Sequence, residues 1–346
     1  MSNRKLMKHK GFFARIMEAQ RLVGDHVFGL PPGSALDVYH VDEFNEVPGN
    51  WIKGAGSFVV PVRPNKGLWF DWTPNSGINT AVLPTVKGCN PITGLKTSGY
   101  HLERYENNCP KHGCEFHEDR YCKECGYKWP PQNYVSYPNT LWWDGFRTGD
   151  KVRQFFFTED MIRDVATSLI GKEETVPAFG FAFYNPKEKR DYVTYRSTYS
   201  DSGASIDYKS LHVNYSGTPY IYGSSMMGGV ETNCECSYKS ETKNSSFIME
   251  SYTSKEENTT LLRSMSKTYD RSRSIAPKKE VAVGAGAEIR QELRDDPYAL
   301  DSWKDTPEAT MVIYFIFEKE FQKMKEAGMK DFSEKKDGML SGIPVG

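Results

Sequence analysis

Ala309-Thr310-Met311-Val312-Ile313-Tyr314-Phe315-Ile316-Phe317 is the most apolar run in the chain. Its β-branched and aromatic residues favour an extended conformation. A run with almost no polar alternation reads as a central strand, buried on both faces. The period then changes. From Glu318 to Ala327, Phe321, Met324 and Lys325 fall on one side and Gly328 closes the segment, which predicts a helix.

Working back from that strand, Ala178-Phe179-Gly180-Phe181-Ala182-Phe183-Tyr184 alternates small and aromatic residues. One face of such a strand packs aromatics, and the other can lie close to a second layer. Further strands are read at 35–41, 57–62, 67–72, 79–83, 100–105, 139–143 and 152–157. Gly, Pro and Asn separate them. Val281 to Ala287, with Gly284 and Gly286, reads as a strand or tight turn of small residues; it lacks the Lys-Ser/Thr ending of a phosphate loop. One main helix is expected besides the C-terminal one, and it spans 158–170. Thr158 stands as its N-cap, Glu159 and Asp160 lie in its first turn, and Ile162, Val165, Ala166 and Leu169 form its stripe. A weaker helical stripe, with Phe13, Ile16, Met17 and Leu22, runs from Phe12 to Val27.

The expected fold class is therefore α+β with β predominating: a largely antiparallel multi-stranded sheet or sandwich, about two main helices and a small zinc-knuckle insert. The chain divides into a β-rich part (1–106), the cysteine insert (107–130), a continuation of the main domain (131–198), a polar Ser/Thr-rich β insertion (199–275) and a C-terminal strand–helix part (276–346). The 346 residues suffice for a large core without disulfides, and 20 Tyr, 19 Phe and 7 Trp suit half-buried pleated surfaces.

Four of the seven cysteines cluster as Cys109-x4-Cys114-x7-Cys122-x2-Cys125. Clustering of this kind is a metal pattern, not a disulfide framework. Cys122-Lys123-Glu124-Cys125-Gly126-Tyr127 has the form of a knuckle, in which two thiolates grip one ion and Gly126 takes the unusual backbone conformation of the turn. Cys109-Pro110-Lys111-His112-Gly113-Cys114 forms the other half. Four thiolates make a closed shell with no position for substrate, so the expectation is one structural Zn2+ per chain. His112 or His117 could replace one cysteine, and free thiols or a disulfide are the bland alternatives. From Cys109 to Tyr127 the cluster resembles the zinc-ribbon knuckle class; the short gap between its halves favours a metal-clipped excursion from the sheet over a self-standing domain.

Trp69-Phe70-Asp71-Trp72 and Trp142-Trp143-Asp144-Gly145 repeat a theme of tryptophan beside aspartate. An aromatic face that stacks on a sugar, with a carboxylate for its hydroxyls, would use Trp69, Asp71, Trp72, Trp142, Trp143 and Asp144. The competing reading is core packing, which is what most large aromatics do. A basic stretch, Arg263 to Lys279, is diluted by Ser, Thr and Glu and reads as a solvated face.

The formal net charge of −1 supplies no global field for nucleic acid, so a nucleic-acid partner is not expected. No run of 18 apolar residues argues for a membrane span, and no secretory h-region follows the basic first ten residues, so a cytoplasmic location or a place in a virion or other large particle is expected. No nucleophile elbow, His-Glu-x-x-His or Walker pattern occurs, which argues against an enzyme. The expected function is non-enzymatic: a structural or interaction protein, a subunit of a larger assembly such as a phage particle or multiprotein machine, working through protein partners or self-assembly. A carbohydrate- or other ligand-binding module is the second reading. A membrane-active β-protein, whose segment 232–274 rearranges into a hairpin, is the third, and an enzyme of unidentified type the fourth.

Overall fold

The computed structural model describes residues 4–97, 99–117, 120–188, 193–195, 210–212 and 281–329. In chain order the strands begin with β1 (Met7–His9), β2 (Phe12–Gln20), β3 (Gly33–Ala35), β4 (Tyr39–His40), β5 (Ser57–Val62), β6 (Lys66–Asp71), β7 (Thr80–Val86), β8 (Cys89–Asn90) and β9 (Leu95–Lys96). They continue with β10 (Tyr121–Cys122), β11 (Tyr127–Lys128), β12 (Val135–Tyr137), β13 (Trp142–Trp143), β14 (Gly145–Thr148), β15 (Lys151–Thr158) and β16 (Phe179–Tyr184). The last are β17 (Val193–Tyr195), β18 (Ser210–His212), β19 (Ala282–Glu288) and β20 (Ala309–Phe317). Among the described residues the α-helices are α1 (Val165–Ile170) and α2 (Glu318–Glu326).

Two eight-stranded sheets carry the fold. The first runs β1-β2-β6-β15-β14, with β3 on β2, β13 on β6 and β19 on β15; the second runs β4-β5-β20-β16-β7-β8-β9, with β12 on β7. Every pairing between these strands is antiparallel except that of β20 with β5, where Val312 to Phe317 lie beside Ser57 to Val62. β20 has β5 on one side and β16 on the other, so it is the central strand its sequence predicts.

The period of two explains how the sheets face each other. Phe12, Ala14, Ile16, Leu68, Phe70, Phe155 and Phe157 of the first sheet share one core with Phe58, Val60, Phe179, Phe181, Phe183, Met311, Ile313 and Phe315 of the second. Rings meet across the gap. Phe12 stacks on Phe183 at 5.0 Å between centroids, and Phe70 meets Phe181 edge-on at 4.9 Å. The opposite side of β20, Tyr314 and Ile316, packs under α2 against Phe321 and Met324, together with Val41, Phe44 and Trp51. A third cluster, Ala81, Leu83, Tyr134, Ala182, Tyr184 and Trp303, covers the outer side of β7 and β16.

Four expectations are corrected. Residues 12–20 form a strand, not a helix: Phe12, Ala14 and Ile16 enter the core on one face, and the helical matches of Phe13, Ile16 and Met17 straddle both faces. The helix expected over 158–170 begins later. Thr158 ends β15; Asp160 caps a short 3₁₀ turn, Met161–Arg163, and Asp164 caps α1 by accepting from the Thr167 N–H at 2.8 Å. Two aspartates four residues apart each offer the backbone a cap, and they divide the segment. Residues 100–105 are not a strand but an irregular stretch with one bridge, Arg104 to Gln132. The expected strand at 35–41 breaks into β3, β4 and a 3₁₀ turn, Val41–Glu43. Of the polar insertion 199–275, only Ser210–His212 lies among the described residues, where it pairs antiparallel with Val193–Tyr195.

Candidate metal centre

The cysteine excursion leaves the body after Tyr105 and returns at Trp129. It is organised by two short turns of the same build. In one, the Gly113 N–H donates to the Cys109 carbonyl at 2.7 Å; in the other, the Gly126 N–H donates to the Cys122 carbonyl at 2.9 Å. Both glycines take positive φ, 69° and 63°, where a side chain is disfavoured. The second turn closes the β10–β11 hairpin, in which Cys122 lies opposite Tyr127. The Cys109 N–H donates to the Cys114 carbonyl at 2.8 Å and ties the first turn back on itself.

These turns bring together donors that could hold a metal ion. Cys109, His112, Cys122 and Cys125 present one ligand atom each, all within 4.8 Å of one another. The Cys109 and Cys125 sulfurs are 4.0 Å apart, and His112 Nδ1 lies 3.8 Å from Cys109 Sγ and 3.6 Å from Cys122 Sγ. Cys114 stands beside this set, its sulfur 3.4 Å from that of Cys122. Burial alone would raise the Cys122 thiol. The Cys125 backbone N–H and the side chains of His112, Cys114 and Cys125 outweigh it and bring Cys122 down to about 5. A thiolate at neutral pH is the form that binds metal.

The excursion has a small core of its own. Tyr105, Cys109, Cys122 and Trp129 are buried together, with Phe116 and Tyr127 packed against them. Trp129 meets the rings of Tyr105 and Tyr127 edge-on at 5.2 and 5.1 Å. The Tyr127 hydroxyl donates to the Thr93 carbonyl, which anchors the hairpin to the sandwich. The sequence marked the thiols by their spacing. It paired Cys109 with Cys114 as the first half and weighed His112 as a replacement for one cysteine, without using the repeat of Cys-x-x-His-Gly (109–113) in Cys-x-x-Cys-Gly (122–126).

The two tryptophan–aspartate motifs come together in a different way. β13 pairs with β6, which sets Trp142 opposite Asp71 and Trp143 opposite Phe70. Trp72 and Trp143 are wholly buried in the core between the sheets, and offer no face to a ligand. Trp69 is half-buried, and Trp142 is 36% exposed. Asp71 is buried and engaged: it accepts from Arg15 Nε at 2.7 Å and from the Thr73 N–H at 2.8 Å. Asp144 is buried, its Oδ1 has no donor within reach, and burial raises its carboxyl to about 7. Gly284 lies in β19, where a Cβ would stand 2.3 Å from the Phe156 ring; this glycine serves a close approach between strands.

No protein-family model matches the chain, and no curated protein or solved structure matches it significantly. Among the described residues, no helix is long and apolar enough to cross a membrane.

Proposed function

We propose that this chain is a non-enzymatic structural or interaction protein that works as a subunit of a larger assembly and carries one structural zinc ion. The observation that carries the reading is the donor cluster of the excursion. Thiolates with an imidazole are soft to borderline ligands suited to zinc. A full set of four leaves no open coordination position, and that is the character of a brace, not of a catalyst. The sandwich supplies a rigid body, and the brace holds a loop on it that has too few aliphatic side chains to hold itself.

A surface feature supports the interaction part. Ile162 is 90% exposed, and with Leu169, Arg21 and Arg163 it lines a shallow concavity of about 440 Å³ beside α1. Leu169 is also exposed. Exposed aliphatic side chains grouped in this way suit contact with another protein surface.

Metal analysis and sedimentation test the two halves of the proposal. The purified protein should carry about one zinc per chain. Its sedimentation coefficient should rise with concentration, or on addition of its partner chains. Protein without zinc, with freely titratable thiols in the excursion, defeats the first half. A monomer at all concentrations that recovers no partner from its native particle defeats the second.

A further inference from the structure

The two turns of the excursion are copies of one another, and this decides which four donors surround the metal. We infer that the shell is Cys109, His112, Cys122 and Cys125, a three-thiolate, one-imidazole site, and that Cys114 is a free thiol beside it. The inference rests on the zinc reading above and names the ligands of that same site.

The first support is the local frame. Cys109-Pro110-Lys111-His112-Gly113 and Cys122-Lys123-Glu124-Cys125-Gly126 put a donor, two spacers, a second donor and a glycine in register. Both glycines have nearly the same φ, and each N–H bonds back to the carbonyl of the first donor. Equal turns project their first and fourth side chains alike. His112 therefore holds in the first turn the place Cys125 holds in the second. Cys114 follows the glycine, in the place of Tyr127, which is not a donor position in the second turn.

Distances make the second support. Zinc bonds of about 2.3 Å to sulfur and about 2.0 to 2.1 Å to nitrogen, at tetrahedral angles, set sulfurs about 3.8 Å apart and sulfur and nitrogen about 3.6 Å apart. The Cys109–Cys125 edge is 4.0 Å, and the His112 edges to Cys109 and Cys122 are 3.8 and 3.6 Å. Three of the six edges thus fit a tetrahedron around one ion, and the other three lie within 4.8 Å. Cys114 is outside the set whose ligand atoms lie mutually within 4.8 Å, and its 3.4 Å approach to Cys122 is shorter than a tetrahedral sulfur–sulfur edge.

The test uses the full chain, loaded with zinc or with cobalt(II). Cys114→Ser should keep one metal per chain and leave the cobalt absorption spectrum unchanged. His112→Ala should weaken zinc binding by more than the 10- to 100-fold typical of losing a group behind a ligand. His112→Cys should restore binding and shift the cobalt bands towards those of four thiolates. Alkylation of the zinc-loaded wild type, followed by peptide mapping, should label Cys114 ahead of Cys109, Cys122 and Cys125; this reading needs no variant to fold. Release of metal by Cys114→Ser together with retention by His112→Ala, or protection of Cys114 equal to that of the other three, overturns the assignment in favour of four cysteines. Wild-type protein that binds neither metal overturns the zinc reading itself, a result distinct from either.

Discussion

The Lys87 ammonium donates to the Asp164 carboxylate at 2.8 Å with both side chains almost entirely out of solvent. Lys87 follows β7 in the second sheet. Asp164 caps α1 and also accepts from the Val283 N–H of β19, in the first sheet, at 3.1 Å. One buried ion pair thus clasps the two layers at a single point.

Removing one partner leaves a buried charge alone, which costs about 3–5 kcal/mol. Asp164→Ala should lower the midpoint of urea unfolding accordingly. Replacing both groups by apolar residues, Lys87→Met with Asp164→Leu, should recover much of that loss. A single variant as stable as the parent would show that the clasp contributes nothing.

Ile313 lies fully inside the sandwich, opposite Phe179 on β16 and Phe58 on β5. Ile313→Asp places an unpaired carboxylate there, at a cost of several kcal/mol. The expected result is insoluble protein, or a thermal transition lost at ordinary growth temperature. Soluble variant protein with the parental melting curve would contradict the position given to β20.

Cys122→Ser should release the metal and loosen the excursion while the sandwich persists, because Tyr105 and Trp129 pack with the cysteines in a cluster apart from the main core. Hydrogen exchange should accelerate over 107–130 and stay slow in β16 and β20. Chelator treatment of the parent should reproduce the pattern. Fast exchange throughout would mean that the excursion supports the whole body.

Asp144 ties stability to pH. Its carboxyl sits at about 7 in the folded chain, against an ordinary 3.8 in the unfolded one, because burial penalises the charged form. Between those values the folded state binds more protons than the unfolded state, so stability falls as pH rises. The contribution is complete below about pH 4 and is lost as pH passes 7, with a span on the order of 4 kcal/mol at most. Asp144→Asn should therefore raise the melting temperature more at pH 8 than at pH 5. Equal shifts at both pH values would place the carboxyl in contact with water.

Much of the sandwich was legible because a strand buried on one face writes its period into the sequence. Phe179, Phe181 and Phe183 alternate with Gly180 and Ala182, and the structure puts the rings inward. β20 was legible by the absence of a period, since α2 covers its outer side. β2 was not: over nine residues, Phe12 to Gln20 satisfies parts of both templates, and only its register with β6 decides. The parallel partner of β20 was hidden as well, because strand pairing at long range leaves no local mark. In the metal centre the thiols declared themselves by spacing. The spacing offered His112 and His117 alike as a replacement for one cysteine; the turn geometry brings His112 to the cluster. Tryptophan serves cores and binding faces alike, so the burial of Trp72 and Trp143 could be learned only from the packed sheets.

The place of β20 between β5 and β16 has a consequence for biosynthesis. The ribosome delivers both flanking strands long before residues 309–317 exist. Until then the second sheet is a slot with two unpaired edges, opening onto the phenylalanines of the interior. A nascent or truncated chain that stops short of Ala309 therefore offers two templates for stray β-pairing, and should be held by chaperones or aggregate. Among the described strands β20 is the last to be made, and it is the one that fills the slot between β5 and β16.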